Sequence, residues 1–114
     1  MKNTIKIKEI FDLAIKYHES NNLKKASHYY KKILKIENDH FESNFRLGTL
    51  FLQIKNFKEA QLLLSKAVKI KSNHIHANNN LGIAFYEQGE LNEAIKCYEE
   101  VLKTRERLKW TFKA

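Results

Sequence analysis

The side chains best suited to chemistry in this chain of 114 residues are few and poorly spaced for it. His18 adjoins Glu19, and His74 stands two residues before His76. On a helix, residues two apart diverge by about 200°, so His74 and His76 would not close on one metal ion. The spacing supplies no further ligands. The lone Cys97 has no evident histidine base in its own stretch and reads as a passive small side chain rather than a nucleophile. A single cysteine also excludes an internal disulfide and a cysteine-rich metal site. No GxGxxG or Walker spacing offers a phosphate cradle. The expectation is therefore a non-enzymatic chain with no catalytic residue, no metal and no cofactor, its histidines solvated or lining a surface.

Cations are the other chemical resource. Lys24, Lys25, Lys31, Lys32 and Lys35 follow one another without an intervening acid. Residues 1–8 carry three lysines and no acid, and residues 103–113 set five basic residues against Glu106. Of the formal net charge of +8, the body between these ends keeps only +1. Such clusters suit phosphates, but no RNA-binding aromatic signature accompanies them. A solubilising face is the plainer reading, and nucleic-acid binding ranks third among the functions weighed. Lys6, Lys8, Glu9 and Asp12 interrupt the apolar residues near the N-terminus, so neither a signal peptide nor a membrane span is expected. Together with the single cysteine, this points to a cytoplasmic location.

The elements that would position these groups follow from composition and periodicity. Hydrophobic residues make up 43% and charged residues 30%, with three glycines and no proline, which favours helices over a sheet of short hairpins. The chain repeats itself at a shift of 34 residues: Ala26, Ala60 and Ala94 coincide, as do Leu13, Leu47 and Leu81, and Tyr17, Phe51 and Phe85. Leu23, Phe57 and Leu91 align as well, followed by Tyr30, Leu64 and Tyr98. Three gapless copies span 7–40, 41–74 and 75–108, leaving a basic extension at 109–114 in a single domain over 1–114. Within each copy the apolar spacing is helical and breaks at Asn21-Asn22, Lys55-Asn56 or Gly89-Glu90, residues that tolerate a left-handed turn. Each copy thus reads as helix A, a tight turn and helix B. Asn56 with Glu59 fits the start of one helix, and Asp39 with Glu42 the start of another. Gly82 and Ala94 are expected where antiparallel axes cross closely, with Phe85, Leu91 and Tyr98 filling the space around them.

"NLGIAFYEQGELNEAIKCYEEVL", "RLGTLFLQIKNFKEAQLLLSKAV" and "DLAIKYHESNNLKKASHYYKKIL" carry this pattern. They resemble the tetratricopeptide repeat (TPR): Leu-Gly, an aromatic residue three later, then alanine and an aromatic residue four after it. The family often has proline late in helix B, where Asn38, Ser72 and Glu106 stand here, which leaves the last helix free to continue into "RERLKWTFKA". The resemblance implies an all-α, right-handed α-solenoid of three helix-turn-helix repeats, with the A helices lining its concave side.

On each helix A, the stripe opposite the packing residues holds Phe11, Ile15 and His18, then Phe45, Thr49, Leu52 and Gln53, then His76, Asn79, Ile83 and Tyr86. A merely solvated face would be charged. Apolar residues spaced by polar ones suggest a groove for a partner's apolar or amphipathic segment, while padding between successive A helices is the plainer alternative. Chaperone-binding members of the family grip a terminal carboxylate with lysines, an arginine and asparagines. The matching positions here are Phe11, Ile15, Arg46, His76 and Asn80, so two apolar residues replace a lysine–asparagine pair and that mode is not expected. A protein–protein interaction module, an adaptor or scaffold, is the leading function.

The ends raise the second reading. Lys16 stands where the later copies have Leu50 and Ala84, which suits an N-terminal cap. Val101, Leu108, Trp110 and Phe112 follow no such rule. They leave open a fold-back, a homo-oligomer through the C-terminal end, or contact with a further repeat of a larger protein.

Overall fold

The structure, a computed structural model, describes residues 2–113, without the side chains of Lys2, Asn3, Ile5, Phe112 and Lys113. Phe112 thus lies outside the described side chains. Among the described residues every element is helical: α1 (Lys2–Glu19), α2 (Leu23–Ile36), α3 (Phe41–Gln53), α4 (Phe57–Ile70), α5 (Ile75–Glu87) and α6 (Leu91–Lys113). Each helix packs on the one before it, and α3 also touches α5, which is the connectivity of stacked hairpins. No helix among the described residues is long and apolar enough to cross a membrane.

The three A-to-B turns are alike because the same local bonds close them. Asn21, Lys55 and Gly89 take positive φ, at 61°, 63° and 79°. The next amide then donates back five residues, from Asn22 to Tyr17, from Asn56 to Phe51 and from Glu90 to Phe85, at 2.8–2.9 Å. This Schellman closure satisfies carbonyls that the helix end leaves open. Asn22 and Asn56 start α2 and α4 by accepting from the amides of Lys25 and Glu59. The expected Asn56–Glu59 start is the one observed.

At the B-to-A corners the expected Asp39 cap is displaced by one residue. Asp39 is exposed, and His40, in an extended conformation, accepts from the amide of Ser43 at 3.2 Å through Nδ1. His74 does the same for Ala77 at 3.1 Å. Buried Asn44 and Asn78 lock these corners, each donating to two carbonyls of the incoming turn: Asn38 and His40 in one, Ser72 and His74 in the other. Orphaned polar groups at a buried corner are thereby paired.

The core repeats with the sequence. Ala26, Tyr30, Leu47 and Leu50 cluster in one layer, and Ala60, Leu64, Leu81 and Ala84 form its counterpart 34 residues on. Small residues mark the closest approaches: a Cβ on Gly48 would lie 2.7 Å from Leu64 Cγ, and one on Gly82 would lie 2.6 Å from Tyr98 Cε1. Ala94 is buried, as the expected crossing requires, but Leu91 is 54% exposed and does not fill space there. Its equivalents Leu23 and Phe57 are half-buried because another hairpin follows them, and none follows α6 among the described residues. Lys16 is exposed where Leu50 and Ala84 are buried.

Candidate functional site

The inner stripe falls on α1, α3 and α5, and successive copies share contacts along it. His18 Nδ1 lies 3.0 Å from the Tyr30 hydroxyl, and its Nε2 lies 2.6 Å from Gln53 Oε1 on the next A helix. Burial raises the Tyr30 hydroxyl to about 12, against the pull of Arg46, so the phenol keeps its proton and can donate to His18. The imidazole then donates from Nε2 to Gln53. One hydrogen-bonded chain so ties the first hairpin to the second. Thr49 Oγ1 donates to the Phe45 carbonyl at 2.8 Å and accepts from Asn80 Nδ2 at 3.0 Å, which ties α3 to α5.

The aromatic members are half-buried by the next A helix. Phe11 meets the His40 ring edge-on at 5.6 Å, with the Arg46 guanidinium 5.9 Å from its centroid. Phe45 stacks on Phe41 at 5.8 Å and meets His74 at 5.1 Å. Ile15 and Leu52 also pack against buried clusters. In the third copy no further A helix is present among the described residues, and Ile83 and Tyr86 stand 36% and 59% exposed, beside exposed His76 and Asn79. One stripe thus has two characters: padding between hairpins along α1 and α3, and open surface along α5 with Gln53.

A cavity of about 400 Å³ opens between α1 and α3, lined by Ile15, His18, Glu19, Arg46, Thr49 and Gln53. Arg46 is its cation, and Glu42 holds it at 3.5 Å while its plane faces Phe11. Asn80 is committed to Thr49, while Arg46 has its ion pair with Glu42 and, among the described residues, no hydrogen-bond partner at its buried Nε. The floor is therefore close to neutral and partly apolar.

Elsewhere the reactive groups are held inert. Cys97 is buried against α5, and burial, then the nearby Glu93, pushes its thiol up to about 11. His74 and His76 do not diverge as two residues on one helix would. His74 sits before the helix as its cap, which brings the rings to 6.0 Å. Burial and then His76 lower the His74 pKa, keeping Nδ1 free to cap. No three His, Cys, Asp or Glu side chains converge among the described residues. On α2, Lys25 and Lys31 lie over the rings of Tyr17 and Phe51 at 5.2 and 5.7 Å, so part of the basic run packs on the molecule's own surface.

The sequence reading has His74 only as a solvated or surface-lining histidine and does not single out His40, Asn44 or Asn78, so the capping and corner-locking roles of all four come from the structure. Each pair is separated by the 34-residue period, which was the available signal.

The fold is similar to several solved structures. The first TPR of Spaghetti (RPAP3), bound to the HSP90 peptide SRMEEVD, matches with TM-score 0.80 at 21% identity, over 86% of this chain and 78% of that one. MamA matches with TM-score 0.83 at 17% identity, over 90% of this chain and 60% of that one. A mutant O-GlcNAc transferase of Thermobaculum terrenum matches with TM-score 0.83 at 23% identity, and the chain spans 20% of its length. At such identities the likeness is one of fold. No curated protein sequence matches the chain. Two tetratricopeptide repeat profiles match its sequence, one over residues 8–40 and 41–74 and the other over 77–107. Nearly the whole chain is thus covered, one match to each hairpin, and the protein belongs to the tetratricopeptide repeat family.

Proposed function

We propose that the chain is a non-enzymatic interaction module, an adaptor or scaffold in a cytoplasmic setting, that holds an apolar or amphipathic peptide segment along its concave face. The three repeats act as one unit, with residues 109–114 as a basic C-terminal extension. The observation that carries this reading is the open part of the stripe: exposed Ile83 and Tyr86 lie in line with a cavity whose one cation is already neutralised by Glu42. Such a surface offers apolar contact for affinity and polar groups for register, and little to attract a free carboxylate. The peptide in the Spaghetti complex ends in acidic residues, a chemistry that this floor does not favour.

Phe45 and Leu52 take part in packing, so the test uses side chains that do not. Fluorescence anisotropy would compare synthetic amphipathic helical peptides with SRMEEVD on the wild type and on Asn79→Asp and Ile83→Asp. The expected result is binding of the amphipathic set, weakened roughly tenfold or more by Ile83→Asp, with an unchanged thermal melt. Preferential binding of SRMEEVD, or indifference to both substitutions, would overturn the reading.

A further inference from the structure

The end of the stack formed by α6 has a face with no tenant, and the chain's own periodicity says what kind of face it is. On α4, the positions Phe57, Gln61, Leu64 and Val68 are buried or half-buried, and Leu64 and Val68 pack in the cluster that holds Leu81 and Ala84 of α5. Gln88 at the end of α5 reaches back to the Phe57 carbonyl and to Gln61 Oε1. The positions 34 residues later are Leu91, Ile95, Tyr98 and Leu102. Leu91, Ile95 and Leu102 are 54%, 53% and 64% exposed. With Tyr98 they lie four, three and four apart, on one helical line. The opposite end of the stack is closed differently: α1 presents Glu9, Asp12 and Lys16 where α3 has Ser43, Arg46 and Leu50. Head-to-tail stacking would bury those charges against leucine and isoleucine, which is costly. An apolar seam of this kind on an otherwise charged surface marks an interaction site.

Charge selects the occupant. Glu87 and Glu90 stand at one end of the seam, while Arg105 and Lys109 continue its line at the other. We propose that the seam Leu91–Ile95–Tyr98–Leu102 pairs with the same seam of a second copy of the chain, antiparallel about a two-fold axis. Antiparallel pairing sets the acidic end of each helix beside the basic end of the other, whereas parallel pairing sets like on like. It also places apolar side chains of both copies against each other at the centre, as in a two-helix seam.

The test is the oligomeric state of the full chain, read by sedimentation velocity over a wide concentration range, with circular dichroism as a control for folding. The wild type is expected to dimerise, and Ile95→Glu with Leu102→Glu to weaken the dimer roughly tenfold or more while leaving the melt intact. Arg105→Glu with Lys109→Glu should also weaken it. Adding Glu87→Lys and Glu90→Lys to that same chain should restore it. The inference falls if the wild type is monomeric at the highest concentration, if it dimerises with the seam variants unaffected, if the charge reversals are not mutually compensating, or if it elutes with another protein in place of its copy. Ile95→Glu, Leu102→Glu, Arg105→Glu and Lys109→Glu all lie on α6, whereas the groove is tested at Asn79 and Ile83 on α5, so failure here is separable from failure of the groove.

Discussion

At the scale of single residues, two glycines occupy equivalent places and face different neighbours. A Cβ on Gly48 would meet Leu64 at its branch point, and Leu64 is fully buried between hairpins. Neither group can move without shifting a helix, at a cost of about 1–3 kcal/mol. Against this, alanine restores about 1 kcal/mol of helix propensity. A Cβ on Gly82 would meet the outer ring of Tyr98, on a helix with no further hairpin beyond it, so the ring can swing outward. Gly48→Ala should therefore lower the urea midpoint clearly, while Gly82→Ala should stay within about 1 kcal/mol of wild type. Equal losses would mean that Tyr98 is as confined as Leu64. The sequence showed that both positions must be small, because the repeat aligned them. It did not show their difference, which comes from what lies on the far side of the neighbour.

Among the elements, α5 depends on an imidazole cap, and this makes it sensitive to acid. His74 accepts the Ala77 amide through Nδ1, and His40 accepts that of Ser43. A protonated ring has no lone pair to offer. Burial, the neighbouring His76 and Lys71 depress the His74 pKa below the usual 6.5, opposed by Glu42. Since the folded value lies below the unfolded one, the stabilisation is complete above pH 6.5 and is lost as pH falls through the folded value. Thermal melts should accordingly decline on acidification through this range. His74→Asn, which caps through an oxygen that does not titrate, should flatten the decline, and His74→Ala should cost about 0.5–2 kcal/mol near neutrality. A decline unchanged by His74→Asn would place the sensitivity elsewhere. The A-to-B turns were legible at Asn21 and Gly89 because left-handed backbone has a narrow residue preference, and at Lys55, which lacks that preference, because the 34-residue period aligns it with them. These B-to-A corners were not: Asp39 is a commoner cap than histidine, and only the buried amides of Asn44 and Asn78 fix which residue turns inward.

Over the whole molecule, what the period could not state is which copies have neighbours. The stripe from Phe11 to Tyr86 was legible as a pattern, yet Phe11 and Phe45 are half-buried under the next A helix while Tyr86 is open, because a stack exposes at its end what it buries inside. The same logic orders stability along the chain. Helix α3 packs on α2, α4 and α5, and α4 packs on α3 and α5, while α6 runs 23 residues against 14 for α2 and α4. Its last buried side chain among those described is Thr104. Beyond it, residues 105–113 hold helical form on a segment too short to be stable alone in water. In dilute solution, amide exchange should therefore be slowest in α3 and α4 and limited there by global unfolding. The tail should open at about 1 kcal/mol or less. Exchange measured at rising concentration then carries extra weight. Pairing of α6 with a second copy would slow the amides flanking Leu91 to Leu102 and extend protection toward Lys109, leaving α1 unchanged. A tail as protected as α3 in dilute, monomeric protein would contradict this ordering, since it would require a covering contact within one chain.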